Sequence, residues 1–120
     1  MATQDTLMQA IAQAVNDQTT VLQYMFPGPA MSALITFKAS SASSIPMVLI
    51  NPVRRGLIIV NTDGNDLWIR YGPTATTGSG GWTYKIGAGV TWEMPMPVFA
   101  GQIDGIWTAA GTGVAEITEL

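Results

Sequence analysis

Two pairs of carboxylates stand close enough together to invite a catalytic reading: Asp63 with Asp66, and Glu116 with Glu119. A glycosidase sets two such groups on either side of a sugar, one as acid and one as base or nucleophile, in a deep cleft. A chain of short strands rarely builds that cleft, and Asp63 and Asp66 fall in the turn-forming run TDGND, where they read as a polar, solvated turn. The same run faintly resembles a calcium loop. It lacks the further oxygen ligands and the distant bidentate glutamate that a calcium loop needs. The chain has no histidine and no cysteine. That excludes Ser-His-Asp and Cys-His nucleophile systems, disulfides and the usual zinc sites. The glycine-rich run GPTATTGSGG at 72–81 has no Lys-Ser/Thr to make a phosphate cradle and leads into a strand, so it reads as a flexible tip. No catalytic residue, metal or cofactor is expected, and the chain is read as a non-enzyme.

The remaining residues with chemical character suit contact better than turnover. Four tryptophans and three tyrosines could form a carbohydrate platform, although aromatic rings also fill cores and interfaces. Trp68 is the best candidate for an exposed or interface-buried ring, because alternation in LWIRY puts Leu67, Ile69 and Tyr71 on one face and Trp68 and Arg70 on the other. The pair Arg54-Arg55 precedes the most apolar strand. It reads either as a solvated edge, with one Arg paired to Glu93 or an Asp, or as an inter-subunit ion pair or a dock onto an acidic partner surface.

These residues sit in a chain of unusual surface chemistry. Charged residues make up 11% of 120 positions, against about 25% in an average soluble protein, while apolar residues reach 48%. A small domain this poor in charge either covers itself with Thr, Ser, Gly, Gln and Asn or buries surface against other copies, so a homo-oligomer is expected. Net charge is −3 with only five basic residues, which argues against a nucleic-acid partner. No run approaches 18 apolar residues, so no membrane span is expected, and the start MATQDTLMQA lacks the features of a secretory signal.

Two segments divide the chain: a helical arm at 1–27, serving oligomerisation or docking, and a β-domain at 31–120. Residues 4–25 contain no Gly or Pro, and Pro27-Gly28-Pro29 then stops any helix. Met8, Ile11, Val15, Gln18, Leu22 and Met25 recur at spacings of three and four, a heptad seam with one polar member. A helix over 4–25 would be roughly 33 Å long. It either lies on its own β-domain or joins a short parallel bundle, a trimer whose register Gln18 would fix.

From residue 31 the period changes to two. Strands are expected over 33–38, 47–50, 56–61, 67–71, 82–86, 90–94, 103–109 and 114–118, with hairpins at 62–66, 87–89 and 111–113. The fold class is mainly β: a small antiparallel β-sandwich or barrel of seven or eight strands with an N-terminal helical arm.

The series NPVRRGLIIVN, LWIRYG, YKIGAGVTWEMP and GQIDGIWTAAGTGVAEITE, covering about residues 51–119, resembles a small β-module of tailed-bacteriophage virion accessory proteins. That family includes capsid decoration or cement proteins, head-fibre bases and neck or tail attachments. The resemblance implies a structural virion component assembled in the host cytoplasm, with the major capsid protein or other virion subunits as partners, and no catalytic residue. The rival function is a carbohydrate- or receptor-binding β-module of a tail or fibre.

Overall fold

The computed structural model describes residues 32–120. The arm at 1–27 and its seam positions Met8, Ile11, Val15, Gln18, Leu22 and Met25 lie outside the described residues. Eight strands follow one another: β1 (Leu34–Ala39), β2 (Ile45–Val48), β3 (Leu57–Asn61), β4 (Leu67–Tyr71), β5 (Tyr84–Ile86), β6 (Thr91–Glu93), β7 (Ile103–Trp107) and β8 (Val114–Glu119). They form two four-stranded sheets of order β1-β8-β3-β6 and β2-β7-β4-β5, every strand pairing antiparallel. That order is the jelly-roll arrangement of a two-sheet sandwich.

The expected alternation sets the core. Leu57 and Ile59 of β3 and Ala115 and Ile117 of β8 point in from one sheet; Leu67, Ile69, Ile86, Ile103 and Trp107 point in from the other. Gly105 leaves β7 bare where Met47 crosses it, since a Cβ there would come within 2.8 Å of the Met47 side chain. Truncating a wholly buried member such as Ile117 to Ala would cost about 2–5 kcal/mol through lost burial and the cavity left behind.

The three expected hairpins are not hairpins. The turns at 62–66, 87–89 and 111–113 each carry the chain from one sheet to the other, so β3 and β4, β5 and β6, and β7 and β8 do not pair. Only β4 and β5 pair as sequence neighbours. Gly, Asn and Asp reverse the chain equally well over an edge or across a sandwich. What decides here is that both strands beside each turn bury one apolar face, which facing sheets satisfy.

A buried polar cluster fastens the two sheets where the chain crosses between them. The Asn61 side-chain amide donates to the carbonyls of Asn65, Ile86 and Gly87 at 2.8, 3.1 and 3.2 Å. Its Oδ1 accepts from the Asp63 backbone and from Trp107 Nε1, both at 3.1 Å. One wholly buried side chain thus ties β3 to elements of the opposite sheet. The turn at 111–113 packs on this corner, where a Cβ at Gly111 or Gly113 would collide with Asp63.

The run 72–81, expected as a flexible tip, is instead tied to the outer face of the second sheet. Asp104 Oδ2 accepts from the Thr74 backbone at 2.8 Å, Ser44 Oγ accepts from the Ala75 backbone at 2.9 Å, and Ala75 is buried. Thr74 holds φ at 62°, a left-handed conformation costly for a β-branched residue, and these anchors maintain it.

Candidate interaction surfaces

Of the expected contact residues, Arg54 is turned into the chain. Its Nε meets Glu119 at 3.1 Å; Nη1 donates to the carbonyls of Phe99 (2.6 Å) and Gly101 (3.0 Å), and Nη2 to that of Leu49 (2.7 Å). Asn51 holds the other Glu119 oxygen at 2.8 Å. A guanidinium so completely engaged fastens the ends of β2 and β8 to the stretch before β7 and offers no charge to another subunit. Arg55 is exposed, and its backbone N–H donates to the Leu120 carbonyl at 2.7 Å.

Trp68 lies half-buried on the outer face of the second sheet, as alternation requires. Trp82 meets it edge-on with ring centroids 5.0 Å apart, and Lys85 Nζ sits 5.2 Å from its centroid. Lys85 also pairs with Asp66 at 3.2 Å. One face of Trp68 is therefore occupied within the chain, and Trp82 is the more exposed ring of the two.

The carboxylates stay apart. Asp63 is buried at the glycine corner, while Asp66 pairs with Lys85. Glu119 shares the inward parity of Ala115 and Ile117 and is held by Arg54, whereas Glu116 lies on the opposite face of β8. Neither pair flanks a common space.

The large exposed apolar side chains gather around β1 and β2, a concentration the sequence reading did not pick out. Among the described residues β1 is an edge strand paired only with β8. Phe37 (63% exposed) and Ile35 point outward, in register with Glu116 and Thr118, beyond which lie Val60 and Ile58 of β3. On the inner side, Leu34, Thr36 and Lys38 form one wall of a groove of about 530 Å³, and residues 46–51 form the other. Leu34 is 62%, Leu49 66% and Ile50 72% exposed there. One signal could have revealed this: in LITFK the adjacent Leu34 and Ile35 must point to opposite faces, so at least one large apolar side chain faces outward on a strand with little charge to keep it apart from neighbours.

At the opposite edge, between β5 and β6, rings pack on one another beside a smaller hollow of about 340 Å³ lined by Tyr71, Tyr84, Phe99 and residues 95–98. Tyr84 and Trp92 meet at 5.2 Å, Tyr71 lies 5.8 Å from Tyr84, and Phe99 stacks on Tyr71 at 4.5 Å with planes 3° apart. Burial, reinforced by the neighbouring Tyr84 phenol, pushes the Tyr71 hydroxyl up from 10.0 to about 12.

No family model matches the chain, and no curated protein matches it. A solved structure, "Crystal structure of PirA", is similar at 19% identity and a TM-score of 0.46, over 79% of this chain and 99% of that one.

Proposed function

We propose that this chain is a structural building block that acts by contact within a larger assembly, a virion accessory protein of the tailed-phage class that residues 51–119 resemble. The observation that carries the contact reading is the outward face of β1. Ile35 and Phe37 stand exposed on an edge strand whose second side has no strand partner among the described residues. Large apolar side chains at the centre of a protein contact typically supply most of its binding energy, and a standard interface of about 1,600 Å² needs only a few. A free strand edge beside them adds backbone hydrogen bonds for the same partner. The jelly-roll order is shared by viral capsid and lectin domains, an analogy of fold alone.

Light scattering on the intact chain tests this. The wild type is expected to sediment and scatter as a homo-oligomer, and Phe37→Asp with Ile35→Asp is expected to reduce it to a monomer while the circular dichroism stays unchanged. A wild-type monomer at every concentration would sink the self-association reading.

A second reading, carbohydrate or receptor binding, is favoured by the exposed Trp82 beside Trp68. It requires glycan binding that Trp82→Ala or Trp68→Ala abolishes.

A further inference from the structure

The geometry points to a second copy of this chain as the partner of β1, paired antiparallel with its counterpart about a two-fold axis at Thr36. Ile35 of each copy then lies opposite Phe37 of the other, and the two sheets of order β1-β8-β3-β6 join into one. The pairing rests on the contact reading above and gives it a partner and a register.

Among the described residues, β1 is the sheet edge without a guard. Of the other edge strands, β5 and β6 have three residues each, and β2 holds Pro46 and a register shift before Val48. Short length, proline and broken register are common means by which an edge refuses a neighbour. β1 runs for six residues in unbroken register with β8, contains no proline, and carries Lys38 as its single charge.

Backbone and side chains select the same residues. Ser40, just past the strand, donates its N–H to the Gly113 carbonyl at 3.2 Å, the next pair of the β1–β8 register. Backbone direction alternates along an antiparallel ladder. Leu34, Thr36 and Lys38 therefore turn their polar groups to β8, and Ile35, Phe37 and Ala39 turn theirs to the free edge. Ile35 and Phe37 also expose large side chains on the outward face, at 55% and 63%.

A strand that meets itself about a two-fold must be self-complementary. With the axis at Thr36, each Ile35–Phe37 pair exchanges both backbone hydrogen bonds and sets an aromatic ring against a β-branched side chain, a favourable cross-strand pair. On the inward face, the exposed Leu34 is covered by the aliphatic stem of Lys38 from the second copy. That Lys38 also comes to the side of Glu119, the β8 neighbour of Leu34, so the charges across the seam are opposite in sign. An axis at Phe37 would set Ile35 against Ala39, and one at Ile35 would set Phe37 against Ala33. Either loses the mixed pairs. An isologous contact closes on itself, so copies join by this edge in pairs.

The absence of cysteine makes single thiols a direct test. A residue on a two-fold axis faces its own counterpart. Thr36 would do so at a non-hydrogen-bonded site, where Cα atoms stand about 4.5 Å apart, within reach of a disulfide. In the full chain, Thr36→Cys is expected to form an interchain disulfide at least about tenfold faster than Lys38→Cys or the loop control Thr77→Cys. That order runs against exposure, since Thr36 is half-buried and Thr77 exposed. Mixing Leu34→Cys with Lys38→Cys should give the mixed dimer in preference to either self-linked one. Faster self-linking by Ile35→Cys or Phe37→Cys than by Thr36→Cys would overturn the register. If the chain scatters as an oligomer that Phe37→Asp dissociates, yet Thr36→Cys has no rate advantage, the two-fold pairing fails and the contact reading stands. A monomer at every concentration fails both.

Discussion

At the β5/β6 edge Tyr84, Trp92, Tyr71 and Phe99 pack ring against ring and leave only a small hollow before residues 95–98. At the β1/β2 edge the sheets part, and the walls are lined by aliphatic side chains that remain mostly exposed. The contrast separates two ways of finishing a sandwich. The closed edge uses the chain's own bulk. The open edge is instead fixed by polar ties behind it, since Arg54 reaches the Leu49 carbonyl at one wall and Glu119 of β8 at the other. Among the described residues, the larger and mostly aliphatic hollow at the β1/β2 edge is the one suited to receiving another segment; the hollow beside the rings is smaller, about 340 Å³.

Breaking the Arg54 tie should have the largest effect. Arg54→Met strands the Glu119 carboxylate and three carbonyls, with an expected cost of about 3–5 kcal/mol in urea unfolding. A cost below about 1 kcal/mol would mean that the open edge does not depend on it. Asn61→Ala, at the far corner, should cost about 2–3 kcal/mol by leaving Trp107 Nε1 and the facing carbonyls unpartnered. At the edges themselves, Trp92→Ala should cost about 2 kcal/mol in the same titration, as a half-buried ring leaves its neighbours. Leu49→Ala sharpens the contrast: with its side chain mostly exposed, a cost below about 0.5 kcal/mol is expected, and a cost near 1 kcal/mol would mean that another segment covers it.

The smallest effect is an alkaline one. Tyr71 gives up its proton at about 12 in the folded chain and near 10.0 when unfolded, so high pH favours the unfolded state. The contribution of this group is fully present below pH 10 and is lost as pH rises from 10 through 12. Tyr71→Phe should flatten that part of a stability–pH curve, and an unchanged curve would place the alkaline loss elsewhere.

Much of the architecture was legible in local pattern. LWIRY declared its inward and outward faces, and Pro46 lies within β2, a strand at a sheet edge where a missing N–H is tolerated. Pairing was not legible. The run TDGND specifies a reversal, but whether the returning strand joins the same sheet depends on partners far along the chain. Arg54 was opaque for the same reason. Its basic character suggests a contact, yet its partner Glu119 is 65 positions away, and nothing near Arg54 announces it. The groove escaped notice because Leu49 and Ile50 look like strand residues in sequence, whereas the strand ends at Val48 and leaves both side chains outside. Residues 51–61 and 103–119 supply the paired side chains of both polar clusters, Arg54 with Glu119 and Asn61 with Trp107.

The nested order of the strands also sets a timetable. β1 and β2, the first of the eight strands to leave a ribosome, find their partners in β8 and β7, the last two to emerge. Only the β4–β5 pairing can form early between sequence neighbours. Folding dominated by such distant pairings is slow. Through most of synthesis Leu34, Ile35 and Phe37 of β1 wait without their mate, so part of the nascent chain's hazard of sticking to its neighbours lies in the same strand that the finished protein leaves at its edge.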